Sequence, residues 1–395
     1  METNVLYIPF GSHTFINARL IMKNILLSIK SFFAKETVFT IAVLMAIISM
    51  FFVHPSRKYI GYIDFRVLSI LFCLMLLVAA LREQWIFRRL AESLTKHISS
   101  SKLLELILVL LCFFGSMLIT NDVALITFVP FALALLNGAG LKKDIFKVIS
   151  LQTIGANLGS MLTPIGNPQN LYLYTLSGMS FGAFILLMLP LTAISLVLLT
   201  ASVMLGKSHP ITVSFDKADM PVSKRKLTVI TILFIICMGT VAKLVPWMFS
   251  LAIVLVMGLV MFRNLFKDVD YFLLGTFTGF FIFIGNMQQI PLISNFIERM
   301  LSGRELVVSA ALSQIISNVP AAMLLSGFTD NYNALIYGVD IGGLGTLIAS
   351  LASLISYKFY AVSKDSKKGK YLLIFTIWNI IFLAVLLPVG MLLNH

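Results

Sequence analysis

Thr120-Asn121-Asp122 stands in the middle of the apolar run 103–137, and Ser317-Asn318-Val319-Pro320 stands in the middle of the apolar run 305–328. A polar break centred in an apolar stretch predicts two half-length helices meeting at a turn, a re-entrant hairpin. A bilayer tolerates such a break only where it is buried in protein or lines a water-filled cavity. The segment after each hairpin is interrupted too. The first, 145–175, contains Gly155-Ala-Asn157-Leu-Gly159-Ser160-Met-Leu-Thr163-Pro164-Ile-Gly166-Asn167-Pro168-Gln169-Asn170. The second, 334–357, contains Asp340-Ile-Gly342-Gly343-Leu-Gly345-Thr346. Proline removes a helical donor and glycine weakens helix formation, so both segments read as broken helices.

Working outward, the whole chain has the composition of a protein dissolved in lipid. Its 395 residues are 59% hydrophobic and 12% charged, with a mean hydropathy of +0.97, whereas soluble domains carry about 25% charged residues. The net charge of +13 does not mark a nucleic-acid binder, because the basic residues flank apolar segments and no soluble basic domain exists. The three cysteines, Cys73, Cys112 and Cys237, lie far apart in apolar runs and read as buried thiols. No phosphate-binding loop or zinc helix motif is present, which argues against an enzyme. Residues Leu20 to Lys35 form an amphipathic stretch without a signal-peptide core, expected to lie on the membrane surface.

The two hairpins belong to an internal repeat. Ile63-Asp64-Phe65 opens a segment, as Val269-Asp270-Tyr271 does 206 residues later. Ser116 precedes Asn121 by five residues, as Ser313 precedes Asn318, with the tips 197 residues apart. Leu158-Gly159-Ser160 matches Leu344-Gly345-Thr346, at an offset of 186. Counting each hairpin as no net crossing leaves an odd number of crossings between the copies, so the repeats are inverted. With the N-terminus in the cytoplasm, 24 of the 30 basic residues fall inside, as the positive-inside rule requires. The expected division is an interfacial segment 1–36, a first repeat 37–205, a cytoplasmic linker and connecting helix 206–246, and a second repeat 247–395. The fold class is an all-α polytopic membrane protein, with multiple passes through the plasma (inner) membrane.

Hairpin tips entering from opposite faces converge near the bilayer midplane, where half-helix N-termini favour anions and free carbonyls favour cations. Asn121 and Asn318 each supply a donor and an acceptor. Thr120, Ser160, Thr163, Ser317 and Thr346 supply hydroxyls, and the glycines at 155, 159, 166, 342, 343 and 345 permit close backbone approach. The expected substrate site comprises Thr120, Asn121, Thr163, Gly166, Asn167, Ser317, Asn318, Gly345 and Thr346. The expected coupling-ion site comprises Asp122, Asn121, Asn157 and Asn318. Asp122 reads as the one acid near the middle of an apolar segment, and either takes a proton, binds Na+ or caps the following helix.

The run Thr120-Asn-Asp-Val-Ala-Leu-Ile-Thr-Phe-Val-Pro130, the run Ala156 to Asn170 and Ser317-Asn-Val-Pro320 resemble the ion transporter superfamily. It includes arsenite permeases, citrate transporters, dicarboxylate–sodium symporters and one class of Na+/H+ antiporters. The resemblance covers roughly residues 37–393. It implies two hairpins in an inverted repeat, an elevator-type movement and a homodimer. In the dicarboxylate branch both tips read Ser-Asn-Thr, and they hold carboxylate and Na+. Asn121, Ser317 and Asn318 match here, Thr120 is conservative, and Asp122 and Val319 do not match. The resulting expectation is a secondary active transporter of a small anion, an oxyanion such as arsenite or a carboxylate, coupled to H+ or Na+. The alternative is a Na+/H+ antiporter. No cofactor other than Na+ is expected.

Overall fold

Backbone amides have no water to bond in hydrocarbon, so the apolar runs of this sequence satisfy them internally as helices. The computed structural model describes residues 36–212, 222–363 and 366–394, and among these it contains helices but no strand. The expected interfacial stretch Leu20 to Lys35 lies outside the described residues.

The first half runs α1 (Thr37–Phe52), the short α2 (Lys58–Tyr62), α3 (Phe65–Glu83), α4 (Ile86–Thr95), α5 (Ser101–Ile119), α6 (Asn121–Gly138), α7 (Ile145–Ser160), α8 (Pro168–Ser177) and α9 (Phe181–Met204). A connecting helix α10 (Lys224–Val241) follows. The second half runs α11 (Trp247–Met261), α12 (Tyr271–Met287), α13 (Pro291–Leu301), α14 (Glu305–Ile316), α15 (Asn318–Ser326), α16 (Tyr332–Gly342), α17 (Leu351–Val362) and α18 (Lys368–Leu393). Each half thus contains a long helix, a shorter amphipathic helix, a hairpin, a broken helix and a final long helix, in the same order. Among the described residues, α3, α5, α6, α9 and α18 are each long and apolar enough to cross a bilayer. The α12–α13 pair adds a sixth span, bent by 104° at its break.

The repeat is inverted, and the cavities demonstrate it. One cavity, of about 1050 Å³, is lined by Asp64, Phe65 and Arg66 at the start of α3 together with Phe281, Ile284 and Gly285 near the end of α12. Another, of about 300 Å³, is lined by Val78, Ala79 and Arg82 near the end of α3 together with Asp270 and Leu273 at the start of α12. The two helices therefore run antiparallel, and repeat-related surfaces open at opposite ends of α3. Local structure repeats as closely. Asp64 accepts from the Val67 amide and Asp270 from the Leu273 amide, both at 2.9 Å, so the same N-cap starts α3 and α12.

The hairpins have unequal arms. Those of the second contain 12 and 9 residues, the half-length helices expected from the sequence. Those of the first contain 19 and 18 residues, each long enough to cross alone. The Thr120 break changes chain direction without shortening either apolar helix.

Packing also corrects the register of the repeat. A Cβ on Gly159 would lie 1.9 Å from the Phe113 carbonyl oxygen and 2.8 Å from Ser116 Oγ. A Cβ on Gly342 would lie 2.8 Å from both Ala310 Cα and Ser313 Oγ. Phe113 and Ala310, and Ser116 and Ser313, are equivalent hairpin positions, so Gly159 corresponds to Gly342 rather than to Gly345. The Leu-Gly-Ser/Thr match of the sequence is displaced by three residues, because what defines equivalence is the glycine facing the hairpin. In the corrected register Thr163 matches Thr346, Asn167 matches Ser350 and Asn157 matches Asp340.

Because the obstruction at Gly159 is backbone, it cannot move aside, and overpacking of this kind costs roughly 1–3 kcal/mol, with a backbone clash at the upper end. Gly159→Ala is expected to lower thermal stability in detergent by that order. Gly182→Ala, whose Cβ meets nothing within 4 Å, is expected to change it by less than about 1 kcal/mol.

Candidate functional site

Each hairpin turns at a non-glycine residue in a conformation that is close to glycine-only. Thr120 has φ 71° and ψ 151°, and Ser317 has φ 76° and ψ 155°. Strain of this kind amounts to about 1–3 kcal/mol per residue and persists only where the surroundings impose it. Here the surroundings are the helix breaks. The Asn121 amide donates to the Gly166 carbonyl at 3.1 Å, and the Asn318 amide donates to the Ala349 carbonyl at 3.0 Å. Each asparagine side chain then caps its own helix: Asn121 Oδ1 accepts from the Asp122 amide at 2.9 Å, and Asn318 Oδ1 from the Val319 amide at 3.0 Å.

The two halves meet at Asn157, which is 3% exposed. Its Oδ1 accepts from Asn121 Nδ2 at 3.0 Å and from Ser350 Oγ at 3.1 Å, and its Nδ2 donates to the Gly343 carbonyl at 3.3 Å. Gly343 lies against Asn318, since a Cβ there would approach Asn318 Nδ2 to 3.1 Å. Asn121, Asn157, Gly343, Ser350 and Asn318 therefore form one buried polar hub at which both tips and both breaks come together. The N-termini of α6, α8, α15 and α17 lie around it. The amides of Gln169, Asn170, Leu351 and Ala352 in their first turns have no backbone partner, as expected of helix starts.

The remaining expected residues divide. Thr120, Asp122 and Asn167 line the 300 Å³ cavity at the Arg82 end of α3, with Asp122 half-buried there. Asp268 and Asp270 line it as well, and Arg82 lies 3.9 Å from Asp268. Ser317 and Asn318 are buried and do not line the large cavity at the other end, which the second hairpin reaches only through its far ends, Glu305 and Ser326. Ser326 bonds there to Tyr172 at 2.8 Å. Gly166 makes a tight turn, with a Cβ there meeting the Ser160 carbonyl oxygen at 2.0 Å. Asn167 Nδ2 donates to Ser160 Oγ at 2.6 Å. Thr163 and Thr346 direct their hydroxyls to the Met117 and Gln314 carbonyl oxygens, at 2.6 and 2.9 Å. They fasten each break to the first arm of its hairpin, as equivalent residues should. Gly345, at φ +106°, lies beside Gln314 in the same fastening.

Sequence reading missed Ser350, which holds Asn157, and Gln314, whose Nε2 donates to the Gly342 and Leu344 carbonyls at 2.8 and 2.9 Å. It also missed a buried acid in the second broken helix. Asp340, in α16, is 2% exposed, so Asp122 is not the one acid placed inside an apolar segment. Among the described residues no group of three or more His, Cys, Asp or Glu could hold a metal ion.

Apolar helices in an inverted repeat, with broken segments meeting at a buried polar hub that a cavity approaches from one end, define a multi-pass membrane transporter. The family profile described as citrate transporter matches residues 25–334, and the chain belongs to that family. It is 31% identical to an uncharacterized transporter of Methanocaldococcus jannaschii over 349 residues, 88% of this chain and 94% of that one. It is 30% identical to the inner membrane protein YbiR of Escherichia coli over 327 residues, 81% of this chain and 87% of that one. A silicon efflux transporter of Oryza sativa is 34% identical over 149 residues, 38% of this chain and 30% of that one. The protein is thus a transporter rather than an enzyme.

The asymmetry of access has a direct test. All three native cysteines are buried, so a new thiol is read without background. Thr120→Cys, probed with a membrane-impermeant maleimide from each side in turn, is expected to react from one side at least tenfold faster than Ser317→Cys reacts from either side.

Proposed function

We propose that the protein is a secondary active transporter that moves a small anion across the inner membrane, with its N-terminus in the cytoplasm, coupled to H+ or Na+. The observation that carries this reading is the hub. Both strained tips and both helix breaks meet in the hub around Asn157, and one cavity reaches tip residues Thr120 and Asp122. Helix N-termini with free amides favour an oxyanion or carboxylate, and the asparagines supply both donors and acceptors. The positive-inside orientation makes the Arg82 end cytoplasmic, so the conformation seen is inward-facing. Alternation then requires tip residues Ser317 and Asn318 to become exposed on the other face, by an elevator-type displacement of the hairpins against α3 and α12. The family description and the rice relative are consistent with a carboxylate or a metalloid oxyacid as substrate. The substitution of Asp122 and Val319 for the third tip residues of dicarboxylate symporters favours the oxyacid.

Asp122 is the coupling residue in this reading. It sits at the tip and lines the cavity that reaches Thr120, and an acid inside a membrane is a functional candidate by default. One observation favours a Na+/H+ antiporter as a second reading. The carboxylates of Asp122, Asp268 and Asp270 outnumber the single cation, Arg82, lining that cavity. Proteoliposomes separate the two, since a pH change driven by Na+ alone, without any anion, establishes the antiporter and removes the anion reading. Asp122→Asn is expected to fold normally and to reduce gradient-driven accumulation by at least tenfold. Accumulation equal to wild type would reduce Asp122 to the first-turn acid of α6.

A further inference from the structure

Asp340 has no role in the geometry above, and its surroundings set it apart from every other acid in the described chain. Its Oδ1 accepts from Gln169 Nε2 at 3.3 Å, while its Oδ2 is buried without a partner. Asn170 also approaches the carboxyl, and its own Oδ1 is buried without a partner. Two buried oxygens, one on each residue, thus lack a donor.

No protein cation compensates the charge. The helices packed on α16 are α7, α8, α14, α15 and α18. Their ionisable groups are Lys147, Tyr172, Tyr174, Glu305, Lys368, Lys370 and Tyr371, to which α16 itself adds Tyr332 and Tyr337. Lys147 bonds to the Val203 and Leu205 carbonyls and lies near Glu105, Tyr172 bonds to Ser326, Tyr174 to the Val241 carbonyl and Tyr337 to the Leu187 carbonyl. None of the nine forms an ion pair or hydrogen bond with Asp340. An uncompensated carboxylate in a dry interior is far too costly to persist, so its charge is neutralised by whatever small cation reaches it. Carboxylate and amide oxygens are a hard donor set, suited to a proton or Na+ rather than to a soft metal.

The position connects to the hub. Asp340 is the repeat counterpart of Asn157, and its carbonyl accepts from the Gly343 amide at 3.2 Å. The Gly343 carbonyl in turn accepts from Asn157. We propose that Asp340, together with Asn170, binds one monovalent cation, H+ or Na+, and so supplies a coupling charge to the second broken helix that Asp122 supplies to the first hairpin. The proposal rests on the reading of the protein as a coupled transporter.

Thermal unfolding of the purified full-length protein tests the binding step, in NaCl against choline chloride at fixed pH, and across pH at fixed Na+. A ligand that binds only the folded state raises the midpoint. The wild-type midpoint is expected to rise by at least 3 °C in one arm. A response to Na+ identifies Na+, and a response to pH alone identifies the proton. Asp340→Asn is expected to abolish the difference. A full wild-type response in Asp340→Asn, or none in wild type, overturns the proposal. If Asp340→Asn does not fold, Asn170→Ala keeps the acid and must shift the half-saturating concentration at least threefold; an unchanged value overturns the proposal. Gradient-driven uptake in proteoliposomes keeps the two claims separate. Wild-type accumulation by Asp340→Asn removes Asp340 from coupling and leaves the transporter reading intact. A wild-type protein that never accumulates solute removes coupled transport, while the thermal result continues to decide whether Asp340 binds a cation.

Discussion

The hydrogen bonds from the Asn121 amide to the Gly166 carbonyl and from the Asn318 amide to the Ala349 carbonyl tie each hairpin tip to the break of the helix beside it. Hydrocarbon offers no alternative partner, so an exposed tip or an exposed break would each leave several polar groups unsatisfied. Joined, they satisfy each other. That mutual dependence permits Thr120 and Ser317 to hold backbone conformations normally left to glycine. It also explains why hairpin and broken helix occur together in both halves: neither is stable in a bilayer alone.

On this symmetric frame the charged chemistry is asymmetric. Asp122 follows the first tip, where the second has Val319, and Asp340 lies in the second broken helix, where the first has Asn157. Each acid therefore faces a neutral counterpart, and the two acids lie in different elements of opposite repeats. The uncharged hub between them consists of amides, hydroxyls and main-chain groups. Under the proposed transport reading, such groups would orient a solute without fixing a permanent charge at the centre.

Much of this was legible in the sequence, because a polar residue inside an apolar run is conspicuous. Asn121, Asn318 and the Gly- and Pro-containing breaks announce themselves in that way, and the spacing of the tips from Ser116 and Ser313 reveals the repeat. The alignment of the breaks was not legible, since Leu-Gly-Ser/Thr triplets recur by chance in glycine-rich segments, and only the facing hairpin distinguishes Gly342 from Gly345. Asp340 was hidden because its bonding partner, Gln169, lies 171 residues away and its own segment reads as a glycine-containing helix end. The length of the first hairpin's arms was misjudged for a similar reason. An apolar run of that size accommodates either one broken span or two full helices, and composition does not choose between them. The sharp bend between α12 and α13 follows from Pro291 at the start of the second helix, where proline is favoured, but its angle is set by packing.

The close approach at Gly159 and Gly342 has a mechanical consequence. Where a helix meets the backbone of its neighbour with no side chain between them, nothing is left to slide or re-pack. Small displacements run directly into main-chain atoms. Each hairpin and its broken helix are therefore one stiff body, and strain introduced at a tip is delivered to the break rather than absorbed along the way. Compliance must reside elsewhere, at the side-chain-filled seams against α3 and α12. Under the proposed elevator reading, it is there that interdigitating apolar groups would exchange partners and let the stiff body come to rest in a second position.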